Sequence, residues 1–318
     1  MAFFKKINQK ARVSSNTGFG DNASSYGGRF LNKDGKANIS KTGIGFFEKY
    51  SWFHSMLNVN GLNFFLIILG FYVAVNLVFA VIYYLIGVEH LAGMIAKTEP
   101  EKFLEAFFFS AQTFTTVGYG RISPSGFLTS GIAAFQALTG LLSFAVATGL
   151  MYARFSKPTA FIKYSQIAVI APYKGITALM LRLAPYKNTT LTDAEAKLTL
   201  GLTIEENGKH LNRFFPMDLE LEKVNALTLN WTLVHPITES SPLYGFSKED
   251  FHNMPGEILV FMKAFDDMFS NTVVSRGSYT FREVIYGAAF NPMFHRDVSN
   301  NMTVLDLGKL SDYREATL

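Results

Sequence analysis

Two long stretches of this sequence carry no charged side chain: residues 62–88, LNFFLIILGFYVAVNLVFAVIYYLIGV, and residues 127–152, FLTSGIAAFQALTGLLSFAVATGLMY. The hydrocarbon core of a bilayer requires about 20 consecutive apolar residues in a helix, so either stretch can cross a membrane with some tilt. The alternative is a pair of buried helices in a soluble protein, but soluble helices of this length rarely lack every charge. The sequence therefore predicts two transmembrane helices.

The distribution of basic residues predicts the orientation of these helices. Nine Lys and Arg residues precede the first stretch, and Arg154, Lys157 and Lys163 follow closely after the second. The connection between the stretches holds three basic residues against four Glu. Because positive charge stays on the cytoplasmic side, both termini are predicted to be cytoplasmic, in the plasma or inner membrane, with the connection outside. Neither stretch has the regular arginines of a voltage sensor, which predicts a voltage-independent protein.

Within the connection, residues 100–116 read PEKFLEAFFFSAQTFTT, which predicts a short helix starting near Pro100. At roughly 14 residues this helix is too short to cross a bilayer, so we expect it to enter the membrane and end near its middle. The next six residues, from Thr115 to Gly120, read TTVGYG. Irregular backbone at this depth is tolerated only where it is buried in protein or lines a water-filled path.

The TTVGYG stretch predicts a cation site made of backbone carbonyls. Gly118 and Gly120 can adopt backbone angles closed to other residues, which lets successive carbonyls point the same way. The carbonyls of Thr116, Val117, Gly118 and Tyr119, together with the Thr116 hydroxyl, would replace the water shell of a dehydrated cation, and such carbonyl rings are how potassium filters work. The negative C-terminal end of the preceding helix also favours a cation. One chain supplies one loop and a ring needs four, so we expect a homotetramer.

Residues 158–308 have a different character from the apolar stretches. Short and often alternating apolar runs, such as AKLTLGLTI and LTLNWTLVHPI, are separated by turn residues such as Lys174-Gly175. This spacing predicts an antiparallel β-sandwich. No GxGxxG follows a predicted strand, which argues against a nucleotide-sensing Rossmann domain.

Four separated motifs resemble those of known channels. TTVGYG is similar to the potassium-channel signature, and RFLNKDGKANI (29–39), ARFSKPTAFI (153–162) and LTLNWTLVHPITESSPLYG (227–245) resemble inward-rectifier potassium channels, most closely the prokaryotic branch. The resemblance covers roughly residues 29–308. It implies a membrane α-helical pore domain, with two transmembrane helices plus a re-entrant pore helix and filter, followed by a cytoplasmic all-β immunoglobulin-like sandwich.

The resemblance also implies a division of the chain. Its parts are a cytoplasmic N-terminal segment (1–45), an interfacial slide helix (46–60), a channel domain (61–152), a cytoplasmic β-sandwich (153–308) and a C-terminal tail (309–318). In the second part, FFEKYSWFHSML repeats apolar residues near helical spacing, which fits an amphipathic helix lying in the membrane interface. An ordinary surface helix is the alternative.

Three residues of the second apolar stretch match gating positions of the family. Gly140 matches the hinge glycine, although close helix packing explains a glycine there equally well. Phe144 and Tyr152 would be hydrophobic gates if they face the pore axis, because apolar rings close by dewetting. Contact with lipid or with another helix is their alternative role.

Other matches concern blockers, lipids and the support of the filter. Asp193 and Asp267 match acids of the cytoplasmic vestibule that would concentrate cations and bind Mg²⁺ or polyamines as blockers, with solvated surface carboxylates as the alternative. Because Phe144 stands where strong rectifiers have a carboxylate, we expect weak block within the membrane. Arg154 and Lys157 match part of a cluster for phosphoinositides and would contact anionic lipid, at about 1 kcal/mol each.

Two departures from the family bear on the prediction of function. Gln112 stands where many members have a carboxylate that braces the filter, so the filter here must be held differently. A poorly selective cation channel is therefore one alternative to a potassium channel, and a membrane-anchored binding or sensor module is another. An enzyme is not expected, because the histidines lack HExxH spacing and no nucleophile elbow occurs. A nucleic-acid partner is not expected either, since Lys and Arg form no run.

Overall fold

The computed structural model describes residues 8, 10, 11, 13, 29–43, 45, 51–206 and 209–318, without the side chains of residues 204–206, 209 and 210. The chain divides into two compact units, which we call the helical unit (Thr42–Lys157) and the β unit (Met1–Lys41 with Pro158–Leu318). Residues 46–50 of the predicted slide helix lie outside the described residues, as do most of residues 1–28.

The helical unit contains four α-helices, one short 3-10 helix (Val88–His90) and one pair of very short strands among its described residues. In chain order the α-helices and strands are α1 (Trp52–Asn58), α2 (Gly61–Ile86), β1 (Leu91–Ala92), α3 (Glu99–Phe114), β2 (Ser123–Pro124) and α4 (Phe127–Phe155). Both α2 and α4 are long and apolar enough to span a membrane. Only 17% and 11% of their most apolar windows are buried within the chain, so most of their surface needs lipid or other subunits as cover.

Local signals in the sequence explain where these helices begin. The side chain of Asn60 caps α2 by accepting a hydrogen bond from the Leu62 amide at 3.0 Å. Helix α3 begins with a capping box, in which Thr98 and Glu101 cap each other's backbone, and it has Pro100 in its first turn. The predicted transmembrane helices and the short helix between them are thus confirmed as helices.

The β unit is a sandwich of two five-stranded sheets. Its strands are β3 (Ile162–Tyr164), β4 (Ala168–Tyr173), β5 (Ile176–Pro185), β6 (Leu191–Glu206), β7 (Lys209–Met217), β8 (Lys223–Leu227), β9 (Trp231–Pro236), β10 (Gly256–Asp266), β11 (Asn271–Thr280), β12 (Val284–Tyr286), β13 (Ala288–Phe290), β14 (Phe294–Asp297), β15 (Met302–Leu305) and β16 (Tyr313–Glu315), with the helix α5 (Lys248–Asn253) between β9 and β10. One sheet has the order β11-β10-β6-β7, with β8 also on β6. The other has the order β12-β4-β5-β3, with β9 also on β5.

The core of the β unit lies between the two sheets. Leu181 and Leu183 from β5 face Leu200 and Leu202 from β6 and Ile258 from β10, and all five side chains are buried in one cluster. The alternating apolar runs in the sequence predict this arrangement, and the sandwich is confirmed. Among the described strands the pairing of β12 with β4 is parallel and every other pairing is antiparallel, which departs from the purely antiparallel prediction at that one edge.

Both ends of the chain contribute to the β unit. The buried Glu257 carboxylate accepts hydrogen bonds from the backbone amides of Phe30 and Leu31 and so anchors the segment RFLNKDGKANI. Burial raises the pKa of Glu257, while these amides act in the opposite direction. Residues 309–318, predicted as a tail, instead include β16, which pairs with β13. The sequence did not indicate this strand, because β16 lacks alternating apolar residues. It pairs with β13 through backbone hydrogen bonds, which do not require such a pattern.

Candidate functional site

The backbone from Thr115 to Gly120 has an alternating conformation. The φ angles of Thr116, Gly118 and Gly120 are +58°, +54° and +84°, whereas Val117 and Tyr119 between them do not have positive φ. Left-handed residues that alternate with right-handed ones turn successive N–H groups to one side, which leaves the carbonyls facing the other. The two glycines were predicted from the sequence. The left-handed Thr116 was missed, because threonine rarely adopts this region.

The last turn of α3 holds the start of this segment. The Gln112 carbonyl accepts hydrogen bonds from the amides of Val117 at 3.0 Å and Gly118 at 3.4 Å, and the Thr113 carbonyl accepts one from Thr116 at 3.1 Å. The Gln112 side chain makes no hydrogen bond to any described residue of the chain, so its backbone and not its amide supports the segment. The amides therefore point into the helix end, and the carbonyls are left available to a ligand.

The side chains of the segment are largely uncovered within one chain. Val117 is 53% exposed and Tyr119 is 79% exposed. A segment of irregular backbone at membrane depth cannot face lipid in this state, because its polar groups would be unsatisfied.

Gly140 on α4 makes a close approach to the end of α3. A Cβ atom at this position would lie 1.9 Å from the carbonyl oxygen of Phe114, the last residue of α3. Real Cβ contacts are never this short, so only glycine lets the two backbones meet. The structure thus gives Gly140 the packing role that sequence reasoning left open beside the hinge role.

A buried hydrogen-bond network, which sequence reasoning missed, joins the three long helices of this unit. Tyr83 on α2 donates to the Gln136 side chain on α4 at 2.7 Å, and Gln136 donates to Ser110 on α3, at 2.6 Å to its hydroxyl and 3.0 Å to its carbonyl. Ser110 donates to the Asn76 side chain on α2 at 2.8 Å. We call these four residues the buried network, and each is at most 1% exposed. The sequence did carry a signal for this network, since the amide side chains of Asn76 and Gln136 lie within the two uncharged stretches.

An ion pair supports the segment on its other side. Arg121 directly follows Gly120, and its guanidinium lies 2.8 Å from the Glu105 carboxylate on α3. The same carboxylate accepts hydrogen bonds from the amides of Ile95 at 3.0 Å and Ala96 at 3.3 Å. We call the Glu105–Arg121 contact the outer ion pair. The strand pair β1–β2 lies beside it and ties the chain after Arg121 to the chain before α3.

The predicted gate residues lie on α4 beyond Gly140. Phe144 is one turn and Tyr152 three turns further along, and each is 73% exposed within the chain. Both rings are therefore available for contacts with other subunits, a pore or lipid. The structure does not bring either ring together with the 115–120 segment.

The predicted vestibule acids do lie near one another. Strands β6 and β10 pair Asp266 with Leu191 and Phe265 with Thr192, which brings Asp193 and Asp267 to the same end of this sheet. Both acids are exposed, and Asp193 forms an ion pair with Lys223 at 3.0 Å. Its partial neutralisation by Lys223 weakens its attraction for other cations.

The predicted lipid-contacting residues already have protein partners at the end of α4. Arg154 donates to the Met56 carbonyl at 3.2 Å, and its guanidinium lies 5.1 Å from the centre of the Phe64 ring. Lys157 donates to the Asn58 side chain at 2.7 Å. These contacts join α4 to α1 and to the start of α2, so the two basic residues connect the predicted interfacial helix to both spans.

Comparisons with known proteins agree with this geometry. Residues 62–157 match a family model described as ion channel, and residues 162–316 match one described as inward rectifier potassium channel C-terminal domain. The inward rectifier potassium channel Kirbac3.1 of Paramagnetospirillum magnetotacticum is 35% identical over 89% of this chain and 95% of its own length.

Two animal proteins are more distant. The inward rectifier potassium channel irk-1 of Caenorhabditis elegans is 24% identical over 87% of this chain and 55% of its own length. The human inward rectifier potassium channel 18 is 25% identical over 85% of this chain and 67% of its own length. These relatives and families are ion channels and not enzymes, and the family's permeant ion is K⁺. This chain, with its two spanning helices and its β-sandwich, therefore belongs to the inward-rectifier potassium channel family and resembles its prokaryotic branch.

Proposed function

We propose that four copies of this chain form a potassium channel in which the 115–120 segments make the selectivity filter. The carbonyls of Thr116, Val117, Gly118 and Tyr119, with the Thr116 hydroxyl, take the place of the water around a dehydrated K⁺. The observation that carries this proposal is the alternation of positive φ at Thr116, Gly118 and Gly120. Alternation between left-handed and right-handed residues is the backbone pattern that turns consecutive carbonyls to a common side, as a carbonyl ring requires.

The lack of cover within one chain supports an assembly of several copies, and a closed ring of carbonyls requires four. The filter side chains and most of the surface of α2 and α4 are exposed in the single copy. Four-fold association would cover the filter with its own copies and leave lipid to cover the outside. It would also complete each ring of coordinating carbonyls.

Gating and regulation are assigned to the remaining predicted residues. Phe144 and Tyr152 form apolar constrictions along α4, with Gly140 as the fixed point against α3. The β unit and α1 bias α4 between closed and open, and both termini are cytoplasmic by the positive-inside rule. The channel is voltage-independent.

Charged residues set the response to blockers and lipids. Asp193 and Asp267 concentrate cations at the cytoplasmic entrance and bind Mg²⁺ or polyamines as blockers, whereas block within the membrane is weak because Phe144 supplies no carboxylate there. Arg154 and Lys157 meet anionic lipid, including phosphoinositides, through the charge that their protein contacts leave exposed.

Uptake of K⁺ into liposomes that hold the purified full chain tests the proposal. Gly118→Ala is the decisive variant, because a Cβ there meets no described atom of its own chain within 4 Å, so that within one chain it is the left-handed φ that opposes it. Gly131→Ala is the matched control, since its Cβ also meets nothing and Gly131 lies in regular helix. We expect barium-sensitive K⁺ uptake in the wild type and in Gly131→Ala, and loss of K⁺ selectivity or of uptake in Gly118→Ala.

Other outcomes identify the alternatives. Equal uptake of K⁺ and Na⁺ by the wild type would indicate a poorly selective cation channel, which the missing carboxylate at Gln112 would explain. No uptake by the wild type or by the Phe144→Ala and Tyr152→Ala variants would indicate a membrane-anchored sensor module.

A further inference from the structure

The buried network is unusual because it places four polar side chains inside the apolar helical unit. Asn76, Ser110 and Gln136 are completely buried and Tyr83 is 1% exposed. Burying such groups is costly unless each one is paired, and pairing across helices is the usual reason for their presence in a membrane. We therefore expect the network to have a role that the surrounding apolar contacts cannot fulfil.

Its hydrogen bonds run in one direction through three helices. The donors follow the order Tyr83, Gln136, Ser110 and Asn76, and the Asn76 amide ends the series by donating to the Tyr72 carbonyl at 2.8 Å. Each side-chain oxygen accepts the bond of the preceding member. Because a fully satisfied buried network defines one arrangement of its members, it fixes α3 against both α2 and α4.

The position of the network relates it to the filter. Ser110 lies one turn before Phe114, the residue whose carbonyl meets Gly140, and Gln136 lies one turn before Gly140. The same face of α4 thus holds two successive turns of α3. The filter begins at the next residue after this clamped section, and its first amides bond to the same helix end.

We propose that Asn76, Tyr83, Ser110 and Gln136 are positioning residues for K⁺ selectivity, which hold α3 at the depth where the filter carbonyls fit a dehydrated K⁺. This inference rests on the proposed function of the 115–120 segment. It assigns to the buried network the support that the Gln112 side chain does not give. A functional constellation requires its parts within about 0.5 Å of the productive geometry, so small shifts of α3 change selectivity before they change the fold.

Three variants of the full chain test this role in liposomes. Ser110→Ala removes the central hydroxyl, Gln136→Met keeps the length of the side chain without its amide, and Tyr83→Phe removes one hydroxyl only. Ser143→Ala is the matched control, because among the described residues the Ser143 hydroxyl bonds only to the Thr139 carbonyl of its own helix, at 2.7 Å. The readouts are the ratio of K⁺ to Na⁺ uptake, barium sensitivity, the yield of tetramer and its thermal midpoint.

The inference predicts that Ser110→Ala and Gln136→Met lower the K⁺ to Na⁺ ratio about ten-fold while tetramers still form, since each leaves a buried partner unsatisfied. Tyr83→Phe should have a smaller effect in the same direction, and Ser143→Ala none. The double variant Ser110→Ala with Gln136→Met should lower the ratio no further than the larger single effect, because both break one network.

The inference is overturned if tetramers of these variants select K⁺ as well as the wild type does. If Ser110→Ala and Gln136→Met fail to assemble, Tyr83→Phe is the deciding variant, because it keeps the aromatic ring and removes only the hydroxyl. An unchanged ratio of K⁺ to Na⁺ uptake in Tyr83→Phe would then refute the proposal. The wild-type sample separates the two claims. Without K⁺ selectivity there, the proposed function itself fails, whereas a selective wild type with equally selective variants refutes only the positioning role.

Discussion

The two supports of the filter differ in almost every physical respect. The buried network consists of neutral side chains at zero or 1% exposure, whereas the outer ion pair joins charged groups whose side chains are 12% exposed for Glu105 and 50% for Arg121. In a dry environment each hydrogen bond is strong and a missing partner is costly. In contact with water an ion pair contributes about 0–1 kcal/mol and is screened by salt.

The difference assigns a separate task to each support. A dry and fully paired network gives α3 one well-defined position and is insensitive to the ions in the surrounding solution. The outer ion pair instead secures the chain where it leaves the filter, with help from the Ile95 and Ala96 amides. If the 115–120 segment is the proposed filter, its position would be set by the support that salt does not reach.

The largest effect is expected for Gly140→Ala, which tests the contact between α3 and α4 next to the buried network. The added Cβ would lie 1.9 Å from the Phe114 carbonyl oxygen, so one backbone must move. We expect a loss of stability of about 1–3 kcal/mol and of most K⁺ uptake. The control is Gly149→Ala on the same helix, where the Cβ meets nothing. Wild-type uptake by Gly140→Ala would show that α4 is not held here.

The next effect is expected for Asn76→Leu, which removes the side-chain acceptor of the Ser110 hydroxyl and leaves this hydroxyl the Asn76 backbone carbonyl at 3.1 Å. The net loss of a buried hydrogen bond costs about 0.5–1.5 kcal/mol, so the thermal midpoint of the tetramer should fall. Because no ion takes part, the fall should be the same at low and high salt. A fall that disappears in high salt would mean that the network is hydrated.

A smaller effect is expected for Arg121→Gln, which breaks the outer ion pair. The loss of stability should be at most about 1 kcal/mol. Most of this loss should vanish near 1 M salt, where charges are screened beyond about 3 Å. Lys97→Gln is the control, because it removes a positive charge from the same connection, and no ion pair of Lys97 is found among the described residues. If Arg121→Gln were as harmful in high salt as in low salt, the contrast between the two supports would fail.

The smallest effect is a pH dependence in the β unit. Its buried His235 belongs to a residue type that titrates near neutral pH, whereas the buried network contains no such residue. The imidazole of His235 contacts the Asp218 carbonyl at 2.6 Å and the Ser241 hydroxyl at 2.7 Å, and burial lowers its pKa. The unfolded histidine binds a proton below about pH 6.5, before the folded one does. Stability should therefore be complete above this pH and should decrease as the pH falls through the lower folded pKa.

Thermal midpoints between about pH 7.5 and 5.5 measure this effect, since the interval covers the unfolded pKa of histidine. His235→Gln should show a weaker decrease than the wild type over this range. His252→Gln, at an exposed position of α5, should keep the wild-type decrease. Equal decreases in all three proteins would assign the pH dependence to other groups.

Sequence patterns predicted the parts of the fold that depend on periodicity and composition. The uncharged runs gave α2 and α4, the alternating runs gave the sandwich, and Gly118 and Gly120 indicated the conformation of the filter. The partners of Asn76 and Gln136 were not predictable, because a single sequence does not show which polar residues of different helices meet. The left-handed Thr116 was missed for a related reason, since the contacts of α3 and not the intrinsic preference of threonine hold it there.

The ratio of K⁺ to Na⁺ uptake by liposomes containing the wild-type chain, with and without barium, tests the central claim most directly. A carbonyl filter predicts large K⁺ uptake that Na⁺ cannot replace and that barium abolishes. Equal uptake of the two ions, or uptake indifferent to barium, would contradict the assignment of the 115–120 segment as a potassium filter.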